Sequence, residues 1–196
     1  VLANAAPTAI KLAGLIAAEG SGVIDLSAAT AEVVDTATVG GRYFTNDDPL
    51  NPVFTAAATG DITLADVTMA DGIALTLGTG LDAMSQSTIA VGGISGTAGG
   101  ADSDLTFRTS GTVTVTGDVG TDIGDILVAR SGGIDFQGDV SGASLLIQGT
   151  TDGQLVQVAG DLDIAGNVTA GGDAGAGTLA YNIDLRGENN RVGATS

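Results

Sequence analysis

Carboxylate oxygen is nearly the only reactive group this sequence offers. It has 23 Asp plus Glu against six Lys plus Arg, of which one is lysine, and it has no His and no Cys. Thiol chemistry is therefore absent, and so are the commonest general base and the commonest metal ligand. The chemistry left is oxygen ligation of a hard cation or carboxylate-assisted cleavage of a glycosidic bond. Asp102-Ser103-Asp104 and Asp161-Leu162-Asp163 each place two carboxylates on one face if the segment is a strand, and Asp47-Asp48 adds a third pair. Calcium is the cation such pairs would take. No complete calcium loop and no Gly-Gly-x-Gly-x-Asp array can be read, so these acids are expected to be solvated surface groups, with no cofactor.

Hydrolysis needs two carboxylates flanking the scissile bond, one of them with a raised pKa. Most aspartates here fall instead in Gly-Asp corners, at Asp61, Asp118, Asp139 and Asp161, where the side chain is expected to support its own turn. Arg108 and Arg130 occupy nearly equivalent positions of a repeat and read as an exposed stripe rather than a single catalytic base. Aromatic residues, which stack on sugars, make up only 3%. The chain is expected not to be an enzyme.

Charge excludes further classes. A net charge of −17 leaves no basic patch for phosphates, so neither nucleic acid nor an anionic membrane face is an expected partner. No apolar run approaches the roughly 20 residues that span a bilayer. Thr112-x-Thr114-x-Thr116 is not echoed one repeat later, which argues against an ice-binding face, and no strand–Gly loop–helix unit with a lysine offers a phosphate cradle. The opening Val1-Leu2-Ala3-Asn4-Ala5-Ala6 can be read as the tail of a signal peptide and tilts the reading toward export.

The elements that must position these groups follow from an internal repeat. Asp104–Val119 laid over Asp125–Val140, 21 residues later and without a gap, brings Leu105 onto Ile126, Phe107 onto Val128, Val113 onto Ile134 and Val115 onto Phe136. Leu162–Thr169 repeats Ile134–Ser141 after 28 residues, while Gly60–Thr68 and Ile89–Ile94 are weaker copies. Each unit alternates apolar and polar residues and breaks at Gly-Asp, Gly-Asn or Ser-Gly. The apolar 43% is almost all Ala, Val, Ile and Leu, and 32 Gly against 3 Pro supply many tight corners. Nothing in a sandwich requires neighbouring strands to resemble one another. A solenoid does require it, because equivalent positions of successive coils stack about 4.8 Å apart. The expected fold is an all-β, right-handed parallel β-helix with coils of about 21 residues. The insertions at 149–153 and 170–177 are expected to loop outward.

Gly160–Gly172, Gly60–Gly72 and Asp125–Val140 resemble the repeats of filamentous-haemagglutinin-like and autotransporter-type bacterial exoproteins. The resemblance covers roughly residues 60–190 and implies a right-handed parallel β-helix, export from a bacterial cell, and adhesion or surface architecture. Asn51-Pro52-Val53 does not match the Asn-Pro-Asn-Gly-like motif of the haemagglutinin secretion domain, and no membrane-barrel segment follows Gly177.

Residues 1–59 are set apart as an N-terminal cap or arm, with first strands at Gly22–Leu26 and Ala31–Val34 and a non-repeat loop at 42–52. The repeats run from 60 to 196 within one continuous domain. Ala9–Ala18 is expected to be a short capping helix or an extended arm. A solenoid end exposes unpaired strand edge, which is capped or pairs with another molecule. Ile10, Leu12, Leu15 and Ile16 at one end, and Leu179, Tyr181, Ile183 and Leu185 at the other, are the candidate self-assembly residues. The expectation is a secreted, self-associating structural protein of a filament, sheath or surface layer. The alternative is an adhesin shaft that binds host or environmental glycans, and a polysaccharide-active enzyme ranks third.

Overall fold

Three-residue segments such as Val113-Thr114-Val115 bury their two outer side chains and leave the middle one at the surface. A strand that short is stable only if something identical in shape lies above and below it. The computed structural model supplies that arrangement. It describes residues 8–18, 21–41, 60–78, 87–148, 155–170 and 182–193. The chain is an all-β parallel solenoid of about six turns, with coils of about 23 residues and no helix among the described residues.

In chain order the first strands are β1 (Ala9–Ala18), β2 (Ile24–Leu26) and β3 (Thr30–Gly41). Each following coil gives three: β4 (Ile62–Leu64), β5 (Val67–Met69) and β6 (Ala74–Leu77), then β7 (Ile89–Val91), β8 (Ile94–Ser95) and β9 (Ser103–Arg108). The next are β10 (Val113–Val115), β11 (Val119–Gly120) and β12 (Ile123–Arg130), then β13 (Ile134–Phe136), β14 (Val140–Gly142) and β15 (Ser144–Ile147). They are followed by β16 (Leu155–Val158), β17 (Leu162–Ile164) and β18 (Val168–Ala170), and finally by β19 (Asn182–Leu185) and β20 (Arg191–Val192).

Face I is a seven-stranded sheet in the order β19-β16-β13-β10-β7-β4-β2. The thirteen-stranded sheet wraps two further faces. Face II contains β5, β8, β11, β14, β17 and β20, and face III contains β6, β9, β12, β15 and β18. They are joined through β3, whose residues 31–33 lie on β5 and 37–39 on β6, and β1 lies on β3 in parallel. Segments 42–59, 79–86, 149–154 and 171–181 all connect a face III strand to the next face I strand. The expected loop at 42–52 lies outside the described residues, and so do the expected outward loops except for Ala170.

The 21-residue match is the stacking register. Val113 pairs with Ile134, Val115 with Phe136, Leu105 with Ile126, Phe107 with Val128 and Val119 with Val140. The weaker copies also stack, Ile62 on Ile89 and Val67 on Ile94. One expectation needs correction. Leu162 does not stack on Ile134. It pairs with Val140, and Ile134 pairs with Val156. The two segments look alike because the corner after β13 and the corner after β17 share one local design, a three-residue strand, a Gly-Asx bend and a Val. Within the gapless match the stacking has a local irregularity, since a bulge in β12 between Val128 and Arg130 sets Arg108 opposite Arg130 before the register recovers at Val113. Of the two alternatives for Ala9–Ala18 the extended one holds: it is the strand β1, turned between faces II and III at Gly14, whose φ of +68° suits glycine. The mean coil exceeds 21 residues because others are longer: equivalent residues lie 27 apart at Asp66 and Gly93 and 28 apart at Asp161 and Asn189.

One apolar cluster fills the interior from Leu12 to Ile164. Its columns are mostly Ile, Leu and Val, each side chain worth roughly 1.5–3 kcal/mol on burial. Phe107 from face III and Phe136 from face I meet edge to face at its centre, with centroids 6.0 Å apart and planes at 71°.

Candidate functional site

The Gly-Asp corners that precede face II carry an acidic ladder. The Asp118 carboxylate accepts the Asp139 backbone N–H at 2.9 Å, and the Asp139 carboxylate accepts that of Asp161 at 2.8 Å. Asp161 in turn accepts the backbone N–H and side-chain amide of Asn189 at 3.0 and 3.1 Å. Asp66 plays the same part for Gly93 at 2.8 Å. Each of these aspartates thus supports the coil after its own, not its own turn as the sequence reading supposed. Local support of the chain's own turn is seen instead at Asp25, whose Oδ1 accepts the Ser27 N–H and hydroxyl, and at Asp35, whose Oδ1 accepts the Thr36 N–H. Asp61 sits at another corner, where its carbonyl accepts the Ile24 N–H. The glycine before each ladder aspartate is explained by the same stacking: a Cβ on Gly138 would strike Asp118 Oδ1 and the backbone of Gly117 and Asp118.

The ladder leaves a trace in titration. Hydrogen bonds from the Asn189 backbone and side chain hold the Asp161 carboxyl below its ordinary pKa. The Ser27 hydroxyl and N–H do the same for Asp25.

Beside the ladder, face II is shallow because its outward row is small. Thr68, Ser95 and Gly120 are register partners, and Ser141 continues the row. This floor and the rim carboxylates Asp66, Asp118 and Asp139 line an open groove of about 720 Å³. A second groove of about 610 Å³ continues it over Ser141 and Gly142, between Asp102 and Asp122 on one side and Asp163 and Arg191 on the other. Asp163 and Arg191 are 3.5 Å apart. Thr121 and Asp122, at the junction of the two grooves, both have φ of +53°, a left-handed conformation that a β-branched residue rarely holds.

The acidic pairs singled out in the sequence end up in separate roles. Asp104 accepts the Asp125 N–H at 3.0 Å, Asp102 lines the second groove, Asp161 belongs to the ladder, and Asp163 faces Arg191. Asp47 and Asp48 lie outside the described residues. Among the described residues no group of three or more Asp or Glu could hold a metal ion. Arg108 and Arg130, nearly equivalent in the repeat, become register partners through the β12 bulge, and they are only partly exposed, with the Nε atoms buried, rather than a fully exposed stripe.

Of the candidate assembly residues, Ile10, Leu12 and Ile16 on β1 face the core, Leu12 being buried and the other two packed against it. Leu15 stands outside, in register with Thr38. Ile183 and Leu185 continue the core columns of Val156 and Val158, yet they are 42% and 40% exposed. Leu179 and Tyr181 lie outside the described residues. The residues that sequence reasoning missed are Ser87, Thr109 and Ser131, buried polar groups at the corner between faces III and I, where the Thr109 hydroxyl donates to the Ser87 carbonyl at 2.6 Å. Their signal was a hydroxyl residue recurring every 22 positions. Comparison with known proteins finds no protein family, no curated protein and no solved structure that matches this chain.

Proposed function

We propose that this chain is a non-catalytic structural element of an extracellular bacterial filament, sheath or surface layer, in which solenoids stack head to tail. The observation that carries the proposal is the state of the core columns. Val156 and Val158 are buried, whereas Ile183 and Leu185, one coil further on the same inward-facing columns, are not. At the opposite end Ile10 and Ile16 are only partly covered. Every strand in the stack is parallel, so an Ile183 end and a β1 end offer complementary edges of the same polarity, and such a head-to-tail contact propagates without closing. The resemblance of Gly160–Gly172 to haemagglutinin-like exoprotein repeats supports secretion and a surface role.

A second reading, an adhesin shaft that binds glycans, is favoured by the open face II grooves with their hydroxyl and carboxylate linings. Electron microscopy and sedimentation of the purified chain separate the two. Ordered polymers that disappear in Ile183→Lys support head-to-tail stacking. Monomeric rods at every concentration reject it and favour the shaft. Because a net charge of −17 opposes any association, polymer growth is expected to strengthen with added salt.

A further inference from the structure

Face III carries three columns in its middle coils. Asp104 and Asp125 form an exposed acidic column, joined by the hydrogen bond from the Asp125 N–H to the Asp104 carboxylate. Two residues along the strands, Leu127 and Leu146 pair in register and point away from the buried neighbours Ile126, Val128, Leu145 and Ile147, so that they lie half-exposed on the outside. Beyond them Arg108 and Arg130 pair in register as a half-exposed basic column. Acid, apolar and base thus lie side by side, the outer columns about 13 Å apart at roughly 3.3 Å per residue.

We propose that face III binds a second copy of this chain, face to face, about a two-fold axis parallel to the solenoid axis. The charge pattern selects that geometry. Turning one copy about such an axis sets its acidic column against the partner's basic column and lays Leu127 and Leu146 on their own counterparts. Turning it about the strand direction instead sets arginine on arginine and aspartate on aspartate, which is destabilising. Five face III strands about 4.8 Å apart and about 17 Å long offer on the order of 800 Å² over both partners, the size of a weak, reversible contact. This pairing is independent of the head-to-tail proposal, since it uses a side of the rod and not an end.

The test uses the absence of cysteine from the sequence. Leu127→Cys and Leu146→Cys, made separately, are each expected to yield a covalent dimer with a bis-maleimide cross-linker of about 10 Å reach, because a two-fold axis along the rod sets every residue of the column opposite its own counterpart across sheets about 10 Å apart. An Ile183→Lys background, blocked at the end, is expected to leave both cross-links intact, whereas cross-links that vanish with it would mean they come from end contacts and overturn the proposal. Arg108→Glu with Arg130→Glu is expected to abolish the dimer, and Asp104→Arg with Asp125→Arg likewise, while an equimolar mixture of the two restores it. Asp135→Arg on face I serves as a control that leaves pairing unchanged. Failure of either cysteine variant to cross-link, or a mixture that stays monomeric although both components are folded by circular dichroism, overturns the proposal.

Discussion

Replacing Gly138 by alanine probes a close contact between coils. The new Cβ would lie 2.6 Å from the Gly117 carbonyl carbon and 2.7 Å from the Asp118 nitrogen, besides meeting Asp118 Oδ1. Carbon contacts want about 3.5 Å, so the two coils must part by roughly 0.9 Å at this corner. Two hydrogen bonds cross the same gap, Asp139 N–H to Asp118 Oδ1 at 2.9 Å and Val119 N–H to the Asp139 carbonyl at 2.8 Å. Both would stretch beyond useful length, at a net cost of about 1 kcal/mol each. Alanine recovers about 0.4–1 kcal/mol by restricting the unfolded chain. The expected loss is therefore about 1–2 kcal/mol. Urea unfolding followed by far-UV circular dichroism measures it, as a lower midpoint with an unchanged slope. Adding Asp118→Ala separates carboxylate from backbone as the obstacle. Full rescue by that second change, or a loss under about 0.3 kcal/mol in the single variant, would refute the reasoning, because the main-chain atoms would then not be the barrier.

Thr121→Asn should stabilise the chain by about 0.5–1 kcal/mol, since asparagine tolerates the left-handed backbone that threonine holds under strain. A lower urea midpoint would instead assign the Thr121 side chain a contact of its own. Asn189→Ala should raise the Asp161 pKa, read by NMR titration of the carboxyl carbon. A depressed folded pKa adds stability above the unfolded value near 3.9, and that stability is lost as pH falls through the folded value. The stability gap between the parent and Asn189→Ala should accordingly be present at neutral pH and shrink on acidification below about pH 4. Taking the difference between the two proteins removes the general relief of negative charge, and a gap that widens in acid would contradict the ladder's role.

The columns were legible in the sequence wherever consecutive coils have equal length. Val113 over Ile134 and Val119 over Val140 need only a repeated spacing, and the apolar positions supply it. Phase was lost where one coil contains the same bend twice: Leu162–Val168 imitates Ile134–Val140 because both are short strands turned by Gly-Asx, and only the stacked backbone tells the two corners apart. The two alternatives for residues 9–18 stayed open because an apolar segment alone does not tell a helix from a strand, whereas the strand buries Leu12, partly covers Ile10, Ile16 and Ala18, and leaves Leu15 outside. The acidic ladder was half visible. Asp118, Asp139 and Asp161 recur at intervals of 21 and 22 residues, a periodicity that self-contained turns do not require. The depth of the face II grooves depends on how small Ser95 and Gly120 are relative to the corners beside them, and no local pattern in the sequence encodes that.

The acidic ladder also has a direction. From Asp118 onward every carboxylate reaches toward the C-terminal side, where it waits for an amide belonging to chain that is made later. A newly emerged coil therefore lands on a template whose acceptor is already in place, and by landing it presents the acceptor for its successor. Folding in the opposite sense would hold each amide without its carboxylate until the preceding coil arrived. At the same corners the backbone bonds run the other way, Val119 N–H to the Asp139 carbonyl and Val140 N–H to that of Asp161, so each joint between coils is tied from both sides.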